Sequence, residues 1–354
     1  MFDQETVNSF EGGFRIAIPS VATIIGSLPI SISGYSLSFP LSLQQDVLVR
    51  RNNRIEWIDK EIFVSDYKLL STDGNWSDPL KIMANISKQR GWENGLKAVV
   101  NNGISFNSGT GYMTSFISSV ILSFSLVNGI KLPNSEILQL NTEIQEKVIG
   151  NAYYNEALTQ LEGRKNNLLF SEGRDKKFRN EVVNFEPYSI FLIEENSLDV
   201  NSNLGTFKRY RKKFVEENMM KRDKNQLKYP YSSIASHYEK EMEYYLDLKK
   251  AAEINDVISF MNTLSSYSQS VMFNLNAVSQ FQKIMGDLLL KNGAEYFSFN
   301  VSEYSGSILL FGDAPTISKI KDNVIREYYS ATNKTVNFRE VNISGPVSYE
   351  KIII

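Results

Sequence analysis

The stretch NNGISFNSGTGYMTSFISSVILSFSLVNG, residues 101–129, decides how the rest of this chain is read, because no charged side chain interrupts it. A short β-type run (Ile104, Phe106) leads into a loop carrying Gly109 and Gly111. An apolar segment of helical spacing follows, and Asn128-Gly129 supplies a C-terminal stop. A strand, a glycine loop and a helix N-terminus together can hold an anion, since the first helical turn presents unpaired N–H groups and the positive end of its dipole. Two readings stand: a phosphate-binding loop, or a tight turn ahead of a buried core helix.

The composition is globular, with 42% hydrophobic, 12% aromatic and 22% charged residues in 354. This length suits two domains or one large two-lobed unit. Net charge is −2, so no basic excess argues for nucleic acid as a partner. Cysteine is absent, which rules out disulfides, thiolate catalysis and zinc–thiolate sites and is compatible with a reducing cytoplasm. One histidine, His237, leaves little room for a Ser-His-Asp triad or a multi-histidine metal site. The opening residues are acidic and lack a signal-peptide pattern. Ile16 to Gln45 and Gly103 to Ile130 are long and uncharged, but prolines, glycines and serines mark them as buried core and not membrane spans.

Phe14 to Ile18 reads as a strand closing at Pro19-Ser20, Val21 to Ile25 as a second, and Tyr35 to Leu43, Val47 to Arg51, Arg54 to Ile58 and Ile62 to Val64 as further strands. Pro79 to Gln89 and Trp92 to Val100 are helix candidates. Ser135 is the expected N-cap of an amphipathic helix ending at Gly150, with a short helix over Asn155 to Gly163. Strands are expected at Leu168 to Phe170 and Ile190 to Ile193, with a charged turn between them from Glu172 to Lys177. The basic run Lys208 to Lys228 reads either as a phosphate or nucleic-acid patch or as the solvated face of a helix balanced by Glu216, Glu217 and Asp223. A helical block covers 236–291, and the chain closes strand, strand, helix, strand, which fits an α+β fold.

In that order the landmarks resemble the GHMP kinase superfamily, and galactokinase within it. The family's sugar-binding signature falls on residues 18–30 and its following segment on Tyr35 to Leu43; its phosphate loop, Gly-x-Gly-Leu-Ser-Ser-Ser-Ala-Ala, falls on Gly109-Thr110-Gly111-Tyr112-Met113-Thr114-Ser115-Phe116-Ile117. His237 and Glu239 fall on a His-Val-x-x-Glu helix start, and only Gly306 survives of the last glycine motif, where Glu303 also lies. The resemblance implies a two-lobed α+β fold with an N-terminal domain over 1–185 and a C-terminal domain over 186–354, nucleotide contacts from Gly109, Thr110, Gly111, Thr114 and Ser115, and, if the loop still admits a nucleotide, ATP and Mg2+ as cofactors. It places substrate contacts at Val21, Ser27, Leu28, Ile30 and Tyr35, and a magnesium ligand at Glu143 or Glu146. The family's catalytic aspartate falls on Glu156 or Ala157, depending on a one-residue gap.

The departures bear on chemistry. Val21 stands where the family has its arginine, and Ser27, Leu28 and Ile30 where it has sugar-binding polar residues. Each buried hydrogen bond lost at such a site costs about 1–3 kcal/mol, so galactose phosphorylation by the family mechanism is not expected. Two functions follow. One is a galactokinase-like pseudokinase kept as a binding, sensing or assembly component, with the basic segment as the first place to seek a protein partner. The other is an active, divergent ATP-dependent kinase of a less polar small molecule, with Glu156 beside the acceptor hydroxyl.

Overall fold

The computed structural model describes residues 2–26, 31, 34–59, 62–64, 76–106, 108–172, 177–196, 204–301 and 306–353. Ser27, Leu28, Ile30 and Glu303 lie outside the described residues.

A short helix α1 (Gln4–Asn8) precedes two long strands, β1 (Phe14–Ile25) and β2 (Ser36–Asn52), and two short ones, β3 (Glu56–Asp59) and β4 (Ile62–Val64). Helix α2 (Asp78–Gln89), strand β5 (Gly95–Asn102) and helices α3 (Tyr112–Val127), α4 (Asn134–Ile149) and α5 (Tyr154–Glu162) follow. Strands β6 (Asn167–Glu172), β7 (Lys177–Val182) and β8 (Ser189–Glu195) lead to helices α6 (Leu204–Glu216), α7 (Tyr231–Glu253), α8 (Val257–Ser270) and α9 (Gln280–Lys291). The chain ends β9 (Tyr296–Asn300), β10 (Ser307–Gly312), α10 (Ala314–Thr332), β11 (Val336–Val341) and β12 (Ser348–Lys351).

Two sheets result. The first runs β12-β1-β2-β5-β3-β4, with β6 joined to the start of β2 and β7 joined to β6; within it only the β3–β5 pair is parallel. The second runs β11-β8-β10-β9 and is antiparallel throughout. The last strand, β12, therefore returns to the first sheet and pairs with β1.

Pro19 does not end the first strand as its sequence suggests. The register between β1 and β2 shifts at Pro19/Ser20, and a bulge is a place where a sheet tolerates a residue with no N–H to give. Likewise Tyr35 to Leu43 and Val47 to Arg51 belong to one 17-residue strand, because its two ends serve different neighbours: Ser36 to Ser38 pairs with β6, and Gln45 to Asn52 with β5. The helix expected over Trp92 to Val100 is the strand β5. Leu96, Ala98 and Val100 are buried in alternation, and a period of two wins over helical propensity when both strand edges find partners. Ile104 and Phe106 lie past the end of β5 in the loop, not in a strand, and β7 and β12 are strands the sequence did not announce. Helix α4 is capped by Pro133, with Ser135 inside its first turn.

The bulge in β1 divides the interior. Before it, Ile16 and Ile18 pack with Trp57, α2, α3 and α4. Beyond it, Ala22, Ile24 and Ile25 join a larger core built from β6, the second sheet and α7 to α10. Helix α3 is buried over nearly its whole length, including Ser118, Ser119, Ser123 and Ser125. Ser119 and Ser125 donate to the carbonyls of Phe116 (2.6 Å) and Leu122 (3.0 Å) three residues back, which is how a helix buries serine without a stranded hydroxyl. No helix among the described residues is long and apolar enough to cross a membrane.

Candidate functional site

The glycine loop docks at the bulge, between the two cores. The Val21 N–H donates to the Thr110 carbonyl at 2.9 Å, so strand β1 holds the loop by backbone, and the Val21 side chain is itself fully buried in the sheet. Inside the loop Thr110 and Ser108 share a hydroxyl–hydroxyl bond of 2.5 Å, both buried. Gly111 then caps α3 with φ +81°, in the left-handed region that glycine enters without strain. A methyl group there would lie 3.3 Å from Glu156 Oε2 and 3.7 Å from Gln160 Nε2. Gly111→Ala is therefore expected to destabilise the protein by about 1–2 kcal/mol from backbone strain alone, read as a lower denaturant midpoint at unchanged slope.

Glu156, in the first turn of α5, reaches across to the start of α3 and accepts a 2.7 Å hydrogen bond from the Thr114 hydroxyl. Burial pushes its carboxyl up from 4.5 to about 7, and the Thr114 hydrogen bond opposes that rise. The loop and Glu156 border one pocket, whose remaining walls are Phe106, Tyr112, Met113, Thr114, Ile149, Tyr153 and Val301. Phe106 and Tyr112 meet edge to face at 5.1 Å beside the loop. The Tyr112 phenol is held above its usual range by burial and by Asp59, against a hydrogen bond with Asn102. No lysine or arginine borders this pocket among the described residues.

Behind the pocket a chain of neutral side chains ties α3, α4 and α5 together. Gln160 Nε2 donates to the Pro19 carbonyl (3.1 Å) and to Ser115 Oγ (2.7 Å), and its Oε1 accepts from Ser118 Oγ (3.1 Å). Asn141 Nδ2 donates to the Thr114 carbonyl (3.1 Å) and to Ser118 Oγ (2.8 Å), and its Oδ1 accepts from Gln145 Nε2. Gln145 Oε1 accepts from the Tyr153 N–H at 2.8 Å. Asn141, Gln145 and Gln160 were not singled out by motif. The signal was present as polar residues on an otherwise apolar inner stripe, beside Ile137, Leu140 and Ile144 on α4.

The structure thus brings together Gly109, Gly111, Thr114 and Glu156 around one pocket, with Ser115 and Thr110 buried just behind it. It does not bring Glu143 or Glu146 there. Glu143 accepts from Gln139 on its own helix at 2.9 Å, Glu146 is exposed, and the residues α4 turns inward are the amides Asn141 and Gln145. No group of three or more His, Cys, Asp or Glu side chains among the described residues is arranged to hold a metal ion. Tyr35 packs against Tyr245 with ring centroids 5.0 Å apart and is not part of the lining of the glycine-loop pocket. His237 is buried in α7 and shares a 2.9 Å hydrogen bond with Ser270; burial pushes it down to about 3, so it stays neutral. In the basic segment Lys212 and Lys213 lie near Glu216 and Glu217, and Lys224 pairs with Glu239, the arrangement of a solvated, charge-balanced surface.

Strand order, helix placement and glycine loop together are those of the GHMP kinase fold. Among solved structures the chain is similar to the galactokinase of Lactococcus lactis complexed with galactose, with TM-score 0.84, 13% identity, and 97% of this chain and 98% of that one covered. It is also similar to the L. major mevalonate kinase in complex with R-mevalonate (TM-score 0.67, 8% identity, 95% and 98% covered). A third is a D-glycero-D-manno-heptose 1-phosphate kinase from Bacteroides thetaiotaomicron (TM-score 0.63, 17% identity, 96% and 100% covered). No protein-family profile matches the sequence, and no curated protein matches it.

The fold family implies a magnesium nucleotide at this loop, and the residues arranged there do not fit one. The helix N-terminus that would receive phosphate already faces a carboxylate, Glu156. An ionised carboxylate repels a phosphate oxygen held beside it; a carboxyl pushed up to about 7 escapes by taking up a proton, so at about pH 8 the cost is about 1.4 kcal/mol, roughly one decade of affinity. Among the described residues no cation borders the pocket to offset this, and α4 offers amides where a magnesium ligand is needed.

Proposed function

We propose that this chain is a galactokinase-shaped protein that does not transfer phosphoryl groups and is kept as a binding, sensing or assembly component, acting in the cytoplasm with a protein partner. The observation that carries the reading is Glu156: its carboxylate takes the place at the α3 N-terminus where a kinase of this fold needs the phosphates of its nucleotide. The protein's own carboxyl then occupies the phosphate cradle, at a cost in stability whenever it is ionised. The buried amides behind it then serve packing and not metal binding.

Thermal unfolding with magnesium-ATP tests this. A ligand at about 100 times its Kd raises stability by about 2.7 kcal/mol, an easily measured shift. At about pH 8, where Glu156 is ionised, the wild-type protein is expected to show no saturable shift at millimolar nucleotide. A saturable shift, with phosphate transferred to any alcohol acceptor, overturns the proposal.

One observation favours the other reading, an ATP-dependent kinase of an apolar alcohol. A carboxyl raised to about 7 is poised as a general base, and Phe106, Met113, Ile149 and Val301 would suit an apolar acceptor. In that case Glu156→Gln abolishes turnover while the fold persists.

A further inference from the structure

Strand β7 forms one end of the first sheet, and its sole partner among the described residues is β6. The Val183 N–H donates to the Asn166 carbonyl at 3.2 Å. Closely and widely spaced pairs alternate along an antiparallel ladder, so Glu181, Arg179 and Lys177 also turn their backbone groups toward β6. Those of Phe178, Asn180 and Val182 point the other way, along an open edge. Natural edges are blunted by charge or proline; this one carries Lys177, Arg179 and Glu181 on one face and, on the other, Phe178, 41% exposed, and Val182, 68% exposed.

We propose that this edge pairs with the same edge of a second copy of the chain, antiparallel and centred on Asn180, which joins the two first sheets into one. Self-pairing must match outward residues with outward residues, which leaves three registers of useful overlap. Centred on Arg179 it sets Arg179 against Arg179, and centred on Glu181 it sets Glu181 against Glu181; like charges directly opposite are destabilising. Centred on Asn180 it sets each Arg179 against a Glu181 on one face and each Phe178 against a Val182 on the other. The charges and the apolar side chains are then complementary at once, and the contact is isologous, as a two-fold dimer requires. Arg179 and Glu181 are already 3.1 Å apart within the chain and partly exposed, so the second pair extends an existing ladder. The inference goes beyond the reading of the glycine pocket and does not depend on it.

Sedimentation equilibrium on the full chain tests it. The expected mass at high concentration is twice the 40.3 kDa of the chain. Glu181→Arg is expected to return it to the single-chain mass, and adding Arg179→Glu to that variant is expected to restore the dimer, since the exchanged charges still face each other. The chain has no cysteine, so Asn180→Cys offers a covalent readout: at a two-fold axis the paired Cα atoms lie about 5.5 Å apart, within reach of a disulfide. Oxidation is expected to give a crosslinked dimer for Asn180→Cys and none for Ser348→Cys on β12. A single-chain mass for the wild type, a dimer indifferent to Glu181→Arg, or crosslinking no better at 180 than at 348 overturns the proposal.

Discussion

Gln160→Leu is expected to lower the unfolding free energy by at least about 3 kcal/mol, although leucine nearly fills the same volume. The loss comes from what the amide leaves behind. Its nitrogen serves the Pro19 carbonyl and Ser115, and its oxygen serves Ser118. Ser115, Ser118 and Gln160 are all within 1% of complete burial, so water cannot replace the missing partners. Each stranded group costs about 1–3 kcal/mol, and there are three. Ser118 loses its acceptor and keeps only the Asn141 donor. The Pro19 carbonyl sits at the bulge, where a strand passes from one core to the other, so damage there is expected to loosen the glycine loop as well. Hydrogen exchange at the Val21 amide, which donates to Thr110, is expected to quicken beyond what the global destabilisation explains. Unchanged stability would mean that the amide network is incidental to the fold.

Glu156→Gln is expected to do the opposite and stabilise the protein by about 3 kcal/mol at about pH 8. The sign follows from proton counting. In the unfolded chain the carboxyl gives up its proton near 4.5, and in the folded protein only near 7. Between those values the native state holds more protons than the unfolded state, so stability falls as pH rises through the interval. Above about pH 7 the full cost of holding a buried charge remains. Glutamine still accepts the Thr114 hydroxyl and carries no charge to desolvate. Denaturant unfolding is expected to give equal stabilities for the two proteins near pH 4 and a gap that opens between about pH 4.5 and 7. A residue held at such a cost marks a functional constraint and not a packing choice. A gap that did not change with pH would place the effect in packing.

Much of the architecture was legible in the sequence because it follows from local rules. Gly109, Gly111 and the apolar run to Val127 announced a loop and a buried helix. Gly150 marked the end of α4 with its left-handed conformation. The fold class followed from the order of elements and from glycines that survive where backbone geometry demands them. Trp92 to Val100 misled, since so short a stretch, with Leu96, Ala98, Val99 and Val100 among its apolar residues, satisfies helix and strand periodicity alike and only neighbours on both sides make β5 of it.

The sequence alone determined which residues the chain has to work with: no cysteine, one histidine, a glycine loop without charge, and a glutamate at 156. Tertiary structure decided what that glutamate does. Position 156 reads more readily as a helix-surface residue until α5 is packed against α3, when a carboxylate 42 residues away becomes the hydrogen-bond acceptor of Thr114. The same packing turned Glu143 and Glu146 outward and Asn141 and Gln145 inward, a choice fixed by which face of α4 is buried against α3. It also left β7 at the end of a sheet with one side unpaired among the described residues. Helical phase and strand neighbours are set by burial of apolar surface over the whole molecule. No single stretch of residues carries that information.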